Sequence, residues 1–173
     1  MLKKIYFAHP INTYETPFEG IALEVIKRRF PNHDIICPNT PAHAAEYTAH
    51  GMSYFTERLV PQCSVTIGMP YPDGKFGAGV ASEIRKAFEL KQDVYVLMIC
   101  QSFSDLSVSL RYIPQTLAQL FLEHTQDVLD RYTTRGRTWV SPEEYGKTPL
   151  HFLKSHIVHI NPEDWKHCEM PQK

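Results

Sequence analysis

The segment Gly77-Ala78-Gly79-Val80-Ala81-Ser82-Glu83 places a carboxylate shortly after two glycines, where a helical pattern begins that runs to Leu90. A helix start presents unpaired backbone N–H groups and the positive end of the helix dipole, so this placement predicts an ionised Glu83 beside a pocket that attracts anions. A carboxylate held in that way suits nucleophilic attack on an electrophilic carbon. It suits equally well a charge that only stabilises the helix. Two further residues should reach the same place: Tyr6 in the first apolar run, and Asp73 in the turn Tyr71-Pro72-Asp73-Gly74-Lys75. Each has a plain alternative, Tyr6 as a core aromatic and Asp73 as part of a good Pro-Asp-Gly turn.

Other motifs point to less. Gly77-x-Gly79-x-x-Ser82 has the spacing of a dinucleotide fingerprint with serine in the third place, but it does not open the first βα unit, and no P-loop lysine follows it. Its glycines permit a sugar or phosphate to approach the backbone closely. His43, Glu46 and His50 share one helix face, yet a helix there should break at Gly51, and we read them as solvent-facing. His156 and His159, three apart on a strand, would point to opposite faces and could not chelate one ion. We therefore expect no metal and no cofactor. The cysteines Cys37, Cys63, Cys100 and Cys168 lack metal or disulfide spacing and read as reduced, mostly buried thiols. No Gly-x-Ser-x-Gly elbow is present, so acyl transfer is unsupported.

The elements that must position these groups are legible as apolar runs between helical patterns. Strands are expected at Lys4 to Ala8, Asp34 to Cys37, Ser64 to Met69 and Asp93 to Cys100, each reading as buried on both faces. Pro17 to Phe30 carries Phe18, Ile21, Ala22, Val25 and Ile26 at helical spacing, with Thr16 as N-cap and Pro17 in the first position. Asn39-Thr40-Pro41 repeats that start signal, Met52 to Val60 forms a short helix ended by Pro61, and Val80 to Leu90 forms the helix of Glu83.

This alternation predicts an α/β fold: a flavodoxin-like or Rossmann-like doubly wound parallel sheet of about five strands with flanking helices. Ligands in such sheets bind at the carboxyl ends of the strands, which is where His9, Pro10, Asn39 and the Met69 to Gly79 segment fall. Beyond Cys100 the serine-rich Gln101 to Ser109 reads as a loop and Leu110 to Tyr132 as a helix. Thr133 to Thr138 reads as a basic turn, and His156 to Ile160 as a last strand.

With 173 residues, 43% of them hydrophobic, the chain is expected to fold as one domain, residues 1–100 forming the βα core and 101–173 an extension. A formal net charge of -1 argues against a broad nucleic-acid footprint while leaving room for a local anion site. The short N-terminal apolar run ends at His9-Pro10, so we expect no signal peptide, no membrane partner and a cytoplasmic location.

The motifs Lys4-Ile5-Tyr6-Phe7-Ala8-His9-Pro10, Val65-Thr66-Ile67-Gly68-Met69 ending in Pro72-Asp73, and Gly79-Val80-Ala81-Ser82-Glu83 followed by Lys91-Gln92-Asp93-Val94-Tyr95-Val96-Leu97 resemble the nucleoside 2-deoxyribosyltransferase superfamily. The resemblance covers roughly the first hundred residues. It implies an oligomeric enzyme that cleaves or transfers the N-glycosidic bond of a nucleoside or its 5′-phosphate, with Glu83 as nucleophile and Tyr6 as its orienting partner. It also implies that Asp73 contacts base or sugar, and that Gly77, Gly79 and Ser82 hold a 5′-hydroxyl or 5′-phosphate. His9-Pro10 stands where the family often has a glycine-containing turn, and Gly77-Ala78 is expected to lengthen the loop before Gly79. A non-catalytic nucleotide-binding or sensing module is the alternative. A phosphoribohydrolase fits less well, because the Pro-Gly-Gly signature is missing.

Overall fold

A computed structural model describes residues 2–70, 75–101, 106–117 and 157–159. The chain forms an α/β fold of flavodoxin-like type, built on a five-stranded sheet in the order β2-β1-β3-β5-β6. Its strands are β1 (Lys3–Ala8), β2 (His33–Ile36), β3 (Val65–Gly68), β5 (Asp93–Gln101) and β6 (Leu106–Ile113). The first four are parallel, with Tyr6 beside Ile36 and Thr66, and Gly68 beside Val96.

The fifth strand overturns two expectations. Segment Gln101 to Ser109 is not one loop, and Leu110 does not begin a helix: β6 pairs antiparallel with β5 from Gln101↔Leu106 to Val94↔Ile113. Its apolar residues alternate, and Val108, Leu110 and Tyr112 pack against the sheet's core on one side. That period of two is a strand signal which the serines between them obscure. The rest of the predicted helix after Leu117, the Thr133 to Thr138 turn, and Asp73 lie outside the described residues.

Helices cover both faces, as strand alternation requires. On one face Ile5, Phe7, Val65, Ile67, Tyr95 and Leu97 meet Ala22 and Ile26 of α1 (Pro17–Arg29). On the other, Tyr6, Ala8, Val94 and Val96 meet Val80, Ala81, Ile84, Ala87 and Phe88 of α4 (Ala78–Glu89) and the helical residues Tyr54 to Val60. Gly68 makes the α4 packing possible: a Cβ there would stand 2.3 Å from Ile84 Cδ1.

Local signals act with one exception. Thr40 caps α2 (Pro41–His50), its side chain accepting from the His43 N–H. Thr16 has the extended N-cap backbone before α1, but its hydroxyl donates to the Thr13 carbonyl instead of capping the helix. The expected Met52 to Val60 helix is present in three parts, an α-helical turn α3 (Met52–Tyr54), a π-helical turn (Phe55–Leu59) and a 3-10 turn (Val60–Gln62). A separate two-stranded sheet joins β4 (Lys75–Gly77) antiparallel to β7 (Ile157–His159), so the predicted last strand exists but does not extend the main sheet. Among the described residues, no helix is long and apolar enough to cross a membrane.

Candidate active site

Strand order reverses between β2-β1 and β1-β3, and folds of this type bind ligands at such a point, beside the carboxyl ends of the strands. Tyr6, on β1, points to the α4 face. Glu83 sits in the second turn of α4, because the helix begins at Ala78. The two residues meet: Tyr6 Oη donates to Glu83 Oε1 at 2.9 Å, and both side chains are buried. Gly77 takes the N-cap position after β4, so Ala78 and Gly79 belong to the helix and do not lengthen a loop. Gly79 lies against Met52, whose sulfur and terminal methyl would be 3.7 Å from an added Cβ. Ser82 is half-buried, one position before Glu83.

The electrostatics of Glu83 run against the sequence expectation. Burial pushes its carboxyl from the ordinary 4.5 up to about 8, and the Tyr6 hydrogen bond only partly opposes this. Desolvation therefore outweighs the helix start, whose field is strongest in the first turn and has faded by the second. The acid is mostly neutral at pH 7. Burial raises the Tyr6 phenol well above its usual value, and ionisation of Glu83 would raise it further, so the phenol stays protonated.

His9, Pro10 and Asn39 do not join Glu83. They lie where β1 and β2 end, and a residue that sequence reading missed connects two of them. Glu19 Oε1 lies 2.8 Å from His9 Nε2, and both Glu19 oxygens accept from Asn39 Nδ2, at 3.0 and 2.9 Å. Glu19 also accepts from the Glu15 N–H at 2.6 Å, a contact that Glu15 reaches in the left-handed region at φ 59°. Cys37 Sγ donates to Glu19 at 3.6 Å. Burial works against the charge of Glu19, but the Glu15 N–H, His9 and Asn39 together bring its carboxyl below the ordinary range. The spacing Thr16-x-x-Glu19 is that of a capping box, and this signal could have found Glu19. Pro10 contributes its carbonyl, which accepts from the Thr13 N–H and hydroxyl.

Tyr14 was also missed. Its ring lies 4.8 Å from that of His9, and burial raises its phenol, followed by the charges of Glu83, Cys37 and Glu19. It thus feels both carboxylates. Cys37 and Cys63 are free thiols, Cys37 half-buried and Cys63 buried, and burial pushes them up to about 11 and about 12, which keeps them protonated. The His43, Glu46 and His50 face is not simply solvated. His43 Nδ1 is 2.7 Å from Tyr54 Oη, while Glu46 lies 3.5 Å from both His50 and Arg58.

The comparisons with known proteins add no relative. No protein-family model, curated protein or solved structure matches this chain. What the site offers chemically is therefore read from its own groups: a desolvated carboxyl with a phenol donor on one face of β1, and an ionised, heavily hydrogen-bonded carboxylate on the other.

Proposed function

We propose that the protein is an enzyme acting on the N-glycosidic bond of a nucleoside or its 5′-phosphate, related to the nucleoside 2-deoxyribosyltransferases, with Glu83 as nucleophile. The observation that carries this reading is the buried hydrogen bond from Tyr6 Oη to Glu83 Oε1, at the strand-order reversal where such folds bind ligands. The phenol fixes one carboxylate oxygen and leaves the other free to attack.

In the proposed reaction Glu83 first gives up its proton. One carboxylate oxygen then forms a bond to C1′ of the sugar as the C1′–N bond breaks, through an oxocarbenium-like transition state. The electron pair leaves on the base, which takes up a proton. Water or a second base attacks C1′ and releases Glu83, giving hydrolysis or transfer. Gly77, Gly79 and Ser82 at the start of α4 are the proposed cradle for the 5′ end, with Asp73 proposed to contact base or sugar. A homo-oligomeric, cytoplasmic enzyme requiring no cofactor belongs to the same reading.

The test is incubation with ribo- and deoxynucleosides, with and without 5′-phosphate and an acceptor base, followed by chromatography of free and exchanged base. The expected result is product from the parent and a loss of about 10³-fold or more in Glu83→Ala. No product from any substrate, or undiminished product from Glu83→Ala, rejects the proposal.

One observation favours a second reading, a nucleotide-binding module without turnover. A carboxyl pushed up to about 8 is mostly protonated at neutral pH, which handicaps a nucleophile. Calorimetry separates the two, since nucleotide affinity that survives Glu83→Gln without base release by the parent identifies a binder.

A further inference from the structure

The groups around Glu19 form a cluster that the proposed glycosidic chemistry does not use. His9 follows β1 on the face opposite the Tyr6–Glu83 pair, and its side chain is fully buried. Its Nδ1 lies 3.0 Å from the Phe7 carbonyl oxygen, which can only accept, so Nδ1 carries a hydrogen. In the neutral ring the Nε2 lone pair then faces Glu19 Oε1 across 2.8 Å. At 2.8 Å the pair is satisfied either by a proton on Nε2, as an ion pair, or, with the ring neutral, by a metal ion that draws the two atoms apart.

A third ligand is in place. Cys37 Sγ lies 3.6 Å from the same carboxylate oxygen, and the nitrogen, oxygen and sulfur all fall within 4.8 Å of one another. We propose that His9 Nε2, Glu19 Oε1 and Cys37 Sγ form a binding site for one divalent cation of the zinc class. Imidazole, carboxylate and thiolate together suit zinc rather than magnesium or calcium, which take oxygen ligands.

The geometry fits after side-chain shifts on the order of 1 Å. Ligand atoms around tetrahedral zinc stand about 3.3 to 3.8 Å apart, from bond lengths of about 2.0 to 2.3 Å. The sulfur-to-oxygen spacing already lies in that range, His9 and Glu19 would separate by about 0.5 Å, and the His9 nitrogen and Cys37 sulfur, within 4.8 Å of each other, would close by up to about 1.3 Å. Outer contacts are present as well. The Phe7 carbonyl fixes the His9 tautomer, and the Glu15 N–H and Asn39 Nδ2 hold Glu19, which is the usual support of a metal ligand. The fourth position falls to water, or to the Asn39 amide oxygen after a half-turn of that amide. On binding, the Cys37 thiol proton passes to solvent and a metal–sulfur bond forms. The ion would tie the segment after β1 to the segment after β2, beside the point where strand order reverses.

No sequence motif announces these ligands, because they come from positions 9, 19 and 37 on three different segments. The test uses the full chain, freed of metal with a chelator and titrated with Co²⁺ and then with Zn²⁺. The expected result is one equivalent of Co²⁺ bound, with a near-ultraviolet thiolate-to-cobalt charge-transfer band that Zn²⁺ abolishes. Cys37→Ser should lose the band, and His9→Gln should weaken binding by about tenfold or more. Circular dichroism checks that each variant is folded. The proposal is overturned if the parent shows no band, if the band persists in Cys37→Ser, or if His9→Gln leaves the affinity unchanged. Nitrogen-15 spectra that show a protonated His9 Nε2 in parent protein exposed to Zn²⁺ would assign the gap to a shared proton and equally overturn it. None of these readouts depends on turnover, so the outcome is independent of the proposed reaction.

Discussion

Replacing Glu83 by Gln should change how stability depends on pH. The Glu83 carboxyl sits at about 8 in the folded protein, against an ordinary value of 4.5, because burial disfavours its charge. Between those values the folded chain holds a proton that the unfolded chain has lost, so stability must fall as pH rises. The contribution is fully present below about 4.5 and is lost as pH passes through about 8. At about 1.4 kcal/mol per pH unit, the interval corresponds to about 5 kcal/mol. Gln keeps the shape and can still accept from Tyr6, but it does not titrate. Urea unfolding of both proteins at pH 5, 6, 7 and 8, at constant ionic strength, measures the difference. Other titrating groups, His9 and Glu19 among them, are common to both and cancel. The parent should lose stability relative to Glu83→Gln by about 1 kcal/mol or more per pH unit over this range, with unchanged m-values. A difference independent of pH would refute the assignment of a neutral, desolvated Glu83.

The same carboxyl sets the pH dependence of the proposed reaction. If Glu83 must ionise to attack, kcat/KM rises tenfold per pH unit and levels near 8, whereas an acid role would give the opposite limb. Tyr6→Phe removes the donor that favours the ionised form, so this limb should move to higher pH and stability should drop by about 1 to 3 kcal/mol in thermal melts. Gly68→Ala sets a methyl against Ile84 and should cost about 1 to 3 kcal/mol, part of which Ile84→Val restores by removing the clashing Cδ1. Gln92→Leu strips the buried Thr66 hydroxyl and Val60 carbonyl of their shared partner, and urea midpoints should show a loss of about 2 kcal/mol or more.

Strands β1, β3 and β5 and helices α1 and α4 were legible because their apolar runs and periodicities agree with their tertiary burial, whereas β2 was legible as a strand but is not buried on both faces, since it lies at the sheet edge with Asp34 exposed. β6 was not, since serine composition masked the alternation of Val108, Leu110 and Tyr112. β4 has three residues and a partner about eighty positions away, so no local pattern marks it. In the candidate site, the convergence of Tyr6 and Glu83 on one sheet edge was legible from their places on the first strand and at the helix start, and their partnership was what the family resemblance implied. The ionisation state of Glu83 was not legible, because desolvation depends on what closes over the second turn of α4. Glu19 and Tyr14 escaped notice for a related reason. Their roles arise from contacts with His9, Cys37 and Asn39, which only the assembled sheet edge brings within reach.

The Tyr6–Glu83 hydrogen bond also bears on the order in which the chain acquires its structure. It joins residues 77 positions apart, whereas β5 and β6 pair across a short hairpin. Closing the larger loop costs more chain entropy, so the hairpin can form early and the phenol–carboxyl contact belongs near the end of folding. Substitutions at either residue should then leave the refolding rate almost unchanged and accelerate unfolding. Because both side chains are buried between β1 and α4, the pair opens only with that core, and hydrogen exchange of the surrounding amides should follow global unfolding.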